Sequence, residues 1–155
     1  MFSNLRGRGS KPAATIQNHA ITVEAILEAL GEDVAKARAN AEAGYAWAFR
    51  RGSATIEIYV SEQDDVGYLQ VLSPIFHLPT SGLLPLYRRL LELNLQLTNA
   101  SLGLYLDIVY VFYERQLLGL DDVEANQIID QIARYADELD DRLVKEFGGR
   151  LYGNV

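Results

Sequence analysis

Apolar positions recur along this chain in two periods, and the switch between them lays out an order of elements. Val23, Ile26, Leu27 and Leu30 return at helical spacing after Thr22, a residue suited to an N-cap, and Gly31 supplies a stop. Glu32 to Ala43 is alanine-rich with little apolar surface, enough for a helical turn or two. Tyr45, Trp47 and Phe49 then alternate with Ala46, Ala48 and Arg50, which puts the aromatics on one face of a strand. After the turn Arg51-Gly52-Ser53, the residues Ala54, Ile56, Ile58 and Val60 oppose Thr55, Glu57 and Tyr59, a half-buried strand closing a hairpin. Asp64 and Asp65 turn the chain again, and Tyr68 to Phe76 predicts a third strand before Pro79. Three strands in succession form an antiparallel meander.

The period then becomes helical over Leu83 to Leu97, with Pro85 tolerable in the first turn. At about 100° per residue its leucines and Tyr87 cover roughly 200° of the circumference. One sheet face cannot cover an arc that wide, so a second surface is expected to pack there. Leu83, Leu86, Tyr87 and Leu90 are the residues expected at a two-fold contact between protomers. Asn94 falls near the middle of the same arc, where an unpartnered buried amide costs about 1 to 3 kcal/mol. It is either a satisfied core asparagine or an interface contact that specifies register.

Leu102 to Leu106 and Ile108 to Tyr113 read as two further strands joined near Asp107. Asp121, with Glu124 three residues on, opens the last helix in a capping-box pattern. Ala125, Ile128, Ile129, Ile132, Ala136, Leu139, Leu143 and Phe147 fall within an arc of roughly 120° on that helix. Gly148 and Gly149 end it.

Composition narrows the functions such an order can serve. A chain of 155 residues that is 49% hydrophobic and 23% charged can bury a core and is not of the disordered kind. Cysteine is absent, which removes disulfides, thiolate metal sites and cysteine nucleophiles. A net charge of -7 repels phosphate backbones, so nucleic acid is not an expected partner. No run of about 18 apolar residues predicts a membrane span. Residues 1–17 carry Arg6, Arg8 and Lys11 without an apolar segment to follow, so they read as a solvated basic leader rather than a secretory signal. The remainder, 18–150, reads as one domain, and the cytoplasm as its compartment.

Candidate chemistry is sparse. The last helix holds nine acidic residues against three basic ones. Asp130 precedes Arg134, Glu138 precedes Arg142 and Asp141 precedes Lys145, each by four residues, which is the order of a solvated helix face. His19 and His77 stand far apart and lack metal-ligand spacing, so no metal, cofactor or catalytic residue is expected. Gly7-Arg8-Gly9-Ser10 is not flanked by a strand and a helix as a phosphate cradle requires. Three functions of different kinds remain. One is a non-enzymatic protein-binding module; another is a small-molecule sensor or enzyme with a pocket at the junction of third strand and second helix, around His77, Tyr105 and Arg115; the third is a dimeric scaffold whose partner is another domain of its own pathway.

Leu90-Leu91-Glu92-Leu93-Asn94 closing the central helix, Arg115-Gln116-Leu117-Leu118-Gly119-Leu120-Asp121, and Tyr135-Ala136-Asp137-Glu138-Leu139-Asp140-Asp141-Arg142-Leu143 together resemble the YbjN family over about residues 22 to 147. The resemblance implies the fold of class I type III secretion chaperones of the CesT kind: α+β, in the order helix, three strands, helix, two strands, helix. It further implies a small acidic bacterial protein of the cytosol that forms a homodimer and has no enzymatic activity. An unidentified protein or extended peptide segment would be its partner, held in a chaperone-like or regulatory role.

Overall fold

Every stretch of period two lies in one antiparallel sheet. The computed structural model describes residues 16–153. Apart from Ile16 and Gln17, which begin the first helix, the basic leader lies outside the described residues. The chain runs α1 (Ile16–Ala29), α2 (Val34–Ala37), β1 (Arg38–Ala39), β2 (Tyr45–Arg51), β3 (Ala54–Gln63), β4 (Val66–His77), α3 (Leu83–Asn94), β5 (Ser101–Tyr105), β6 (Ile108–Gln116), α4 (Asp122–Phe147) and β7 (Arg150–Leu151). The five expected strands are β2 to β6. Two more, β1 and β7, are two-residue pieces too short to carry a period.

Strand order is β1-β2-β3-β4-β6-β5, with β7 pairing the end of β4 at Phe76 and His77. The expected hairpin turn at Asp64 and Asp65 is present, and both residues take positive φ, as the tight turns of two-residue hairpins require. A register shift between Pro74 and Phe76 lets Phe76 turn into the core, where it is fully buried. The bulge follows Pro74, the one residue of β4 that has no N–H for the ladder.

Alternation assigns the two faces. Trp47, Ile58 and Val71 line one side in register across three strands and are buried, and Tyr113 of β6 continues the row, packed against the core. α4 lies across that side against β3, β4 and β6, presenting Ile129, Ile132, Ala136, Leu139 and Leu143, all buried. Each such side chain contributes about 1.5 to 3 kcal/mol on removal from water. α1 adds Val23 and Leu27, and α3 adds Leu86, Leu90 and Leu93 to the same cluster. The helices therefore share one face of the sheet and leave the other open.

Local expectations needed four corrections. α1 begins at Ile16, so Thr22 sits inside it and its hydroxyl donates to the Asn18 carbonyl at 3.0 Å instead of capping. α3 ends at Asn94 because that side chain is taken by the next strand, described below. Asp130 binds Arg51 of β2 at 2.6 Å, and Arg134 reaches forward to Glu138 at 3.2 Å. A long-range partner on the sheet displaced the local pair. Asp121 does cap α4, accepting from the Glu124 N–H at 2.8 Å, while the Glu124 carboxylate turns to Arg115 and leaves the box half made.

Candidate functional site

The leucines of α3 divide into two stripes. Leu86, Leu90 and Leu93 face the protomer's own core, and Leu86 has no exposed surface. Leu84, Leu91 and Leu95, spaced by seven and four, are 80%, 69% and 90% exposed. The wide arc is thus covered on one side only. Of the residues expected at a protomer contact, Leu86 and Leu90 are buried within this protomer, and Leu83 and Tyr87 are half-buried, with Tyr87 packed on the core. Asn94 is satisfied internally: its Nδ2 donates to the Leu102 carbonyl at 3.2 Å and its Oδ1 accepts from the Leu102 N–H at 2.6 Å. The free apolar surface is the second stripe, on positions shifted along the wheel from those expected.

Asn94 ties that stripe to a sheet edge. β5 pairs β6 on one side, and among the described residues nothing pairs its other side. Leu104 and Tyr105 of β5 and Leu106 beyond it are exposed. An unpaired edge flanked by exposed leucines is a template for pairing with another chain.

The opposite edge carries a groove. α1 and β2 enclose a hollow of about 290 Å3 whose lining includes Gln17, Ile21, Glu24, Arg38, Tyr45 and Trp47. Hydrogen bonds tie its lining together: Arg38 donates to both carboxylate oxygens of Glu24 at 2.8 and 3.0 Å, and the Trp47 indole N–H donates to Glu24 at 3.2 Å. The Arg38 guanidinium, helped by the indole, holds the Glu24 carboxyl below its ordinary range against a smaller opposing effect of burial. Ile21 and Tyr45 stand exposed at the rim. β1 pairs only Ala46 and Trp47, so the outer side of Ala48 to Arg51 carries no strand among the described residues.

The open sheet face holds a second hollow, of about 380 Å3, over Glu57, Tyr59, Leu72, Gly103, Tyr110 and Phe112. Of the residues considered for a pocket at the strand-helix junction, His77 of β4 and Tyr105 of β5 lie on either side of Ile108, and Arg115 does not join them. His77 pairs Ile108 at one end of β6, while Arg115 pairs Leu69 at the other, seven residues or about 23 Å away along the strand. His77 is held structurally, 3.1 Å from Asp107 and stacked on Tyr152. Neither the groove nor the open-face hollow was singled out from sequence. The signal for the second was present, since alternation puts Glu57 and Tyr59 on the side away from the core.

One sheet backed by helices on a single side, with apolar surface at both edges, defines an α+β module of the type III secretion chaperone build. The chain matches the model of the TY-Chap1 family, described as T3SS (YopN, CesT) and YbjN peptide-binding chaperone 1, over residues 18–154. It belongs to that family. The crystal structure of YbjN from E. coli superposes with a TM-score of 0.55 at 13% identity, covering 86% of this chain and 96% of that one. At that identity the likeness shows the fold alone. None of the curated proteins matches the chain. No described helix is long and apolar enough to cross a membrane.

Proposed function

We propose that this chain is a non-enzymatic chaperone module that holds an extended peptide segment and works as a homodimer in the cytoplasm. The observation that carries the reading is the α1–β2 groove, where exposed Ile21 and Tyr45 flank a strand edge protected by only a two-residue strand. An incoming segment can add to that edge through its main chain and place alternate side chains in the groove. Membership of a peptide-binding chaperone family supports the same use of the surface. The other edge suits self-association: Leu84, Leu91 and Leu95 beside β5 supply apolar area toward the roughly 1,000 Å2 that a stable dimer buries.

Trp47 is the chain's single tryptophan and lines the groove, so its emission reports occupancy. Phage-displayed random 12-residue peptides selected on the wild type should carry apolar residues at alternate positions and shift Trp47 emission. Binding should fall at least tenfold in Ile21→Asp, an exposed substitution that leaves the core intact. Selection that enriches nothing above the Ile21→Asp control would overturn the reading.

A further inference from the structure

We propose that the hollow on the open sheet face is a subsite for a guanidinium or ammonium head on an apolar stem, carried as an Arg or Lys side chain of the bound segment. This rests on the peptide-binding reading but uses a different surface. Glu57 of β3 stands in register with Leu72 of β4, which in turn pairs Phe112 of β6, so carboxylate, aliphatic and ring lie in one row. Tyr59 and Tyr110 flank that row, both half-buried. Gly103 pairs Tyr110, and a Cβ at Gly103 would come to 3.0 Å from the Phe112 ring. The missing side chain keeps the hollow open over the rings.

The charge in this hollow is unbalanced. Glu57 accepts from the Tyr59 hydroxyl at 3.1 Å and forms no ion pair among the described residues. Arg50, on the same face, is turned away, its guanidinium donating to the Ser53 carbonyl at 2.6 Å. A half-buried carboxylate beside aromatic faces, with the neighbouring cation directed elsewhere, complements an incoming cation through charge and ring quadrupole together. The apolar stem of Arg or Lys would lie on Leu72 and Phe112 while its head meets Glu57. Neutral apolar side chains would leave the carboxylate desolvated and unpaired, which selects against them.

The test uses the full chain and small probes followed by backbone amide NMR. N-acetyl-arginine amide and a pentapeptide with one central arginine should shift the amides of Glu57, Tyr59, Gly103 and Tyr110. The norleucine pentapeptide should bind at least tenfold more weakly. Glu57→Gln should reduce arginine binding at least fivefold, and Gly103→Leu should abolish it by filling the hollow. Equal binding of norleucine, unchanged affinity in Glu57→Gln, or shifts confined to the α1–β2 groove would overturn the proposal. Agmatine binding as tightly as the arginine pentapeptide would overturn the peptide assignment in favour of a free small cation. Ile21→Asp separates the two readings: it should weaken selected 12-residue peptides while leaving arginine amide binding unchanged. Loss of peptide selection alone therefore sinks the groove, and loss of the arginine response alone sinks the subsite.

Discussion

Asn94 and Leu102 hold each other by two hydrogen bonds, the amide of one side chain meeting both the N–H and the carbonyl of the other's backbone. The side chain behaves as one more rung of sheet at the free edge of β5. It stops α3 and fixes the angle at which the next hairpin leaves it. Asn94→Ala strands a partly buried donor and acceptor on Leu102, and we expect a loss of about 1 to 3 kcal/mol in urea unfolding. Asn94→Asp keeps the acceptor but sets a carboxylate against the Leu102 carbonyl, so it should not restore stability at neutral pH.

The two stripes of α3 let folding and the proposed association be tested separately. Leu86→Ala removes a fully buried side chain and should cost about 2 to 5 kcal/mol in the unfolding free energy. Leu91→Asp combined with Leu95→Asp touches only exposed positions, so folding stability per protomer should hold within about 0.5 kcal/mol. Light scattering should show a dimer in the wild type and a monomer in the double variant. A wild type that is monomeric at every concentration tested would remove self-association from the proposed function.

Much of this fold was legible because its periods are clean. Alternation in β3 set Ile56, Ile58 and Val60 against Glu57 and Tyr59, and the structure keeps that division of faces. The arc of α4 likewise put Ile129, Ile132 and Leu143 in the core. The failures have a common physical source, which is competition from partners distant in sequence. Arg51 drew Asp130 away from Arg134, and Leu102 took up the Asn94 amide that the sequence left open between core and interface. On α3, too many leucines were visible but not which of them the sheet would cover, because a 200° arc has no unique inner line. The open-face hollow depends on rows across β3, β4, β6 and β5, and register between non-adjacent strands is not written in any single window.

Gly67 and His19 offer a test of close packing between α1 and the sheet. A Cβ at Gly67 would lie 2.5 Å from the His19 ring, and the Gly67 backbone imposes no positive φ, so any penalty comes from space alone. Gly67→Ala should cost about 1 to 3 kcal/mol by forcing the ring aside. In a His19→Ala background the same substitution should cost little. The coupling energy of that double-mutant cycle measures the contact.

Two glutamates should give opposite pH signatures in thermal melts. Glu24 is held below its ordinary value near 4.5 by Arg38, so its pairing adds stability above that value and loses it as pH falls through the lowered one. Glu24→Gln should therefore destabilise at neutral pH, with the difference closing in acid. Glu57 is raised, burial outweighing its bond from Tyr59, so ionising it within the fold opposes folding above the raised value. That opposition fades as pH falls through the raised value toward 4.5 and is gone well below 4.5, where both folded and unfolded chains carry the neutral acid. Glu57→Gln keeps an acceptor for Tyr59 and should raise the melting temperature at neutral pH, the gain vanishing by about pH 3.5. A gain in melting temperature for Glu57→Gln would mark a carboxylate whose charge the free protein leaves without a cation, as a residue that takes its partner from outside does. Melts of Glu57→Gln that match the wild type from neutral pH to acid would show that Glu57 is solvated like any surface glutamate, and would remove this strain from the open face.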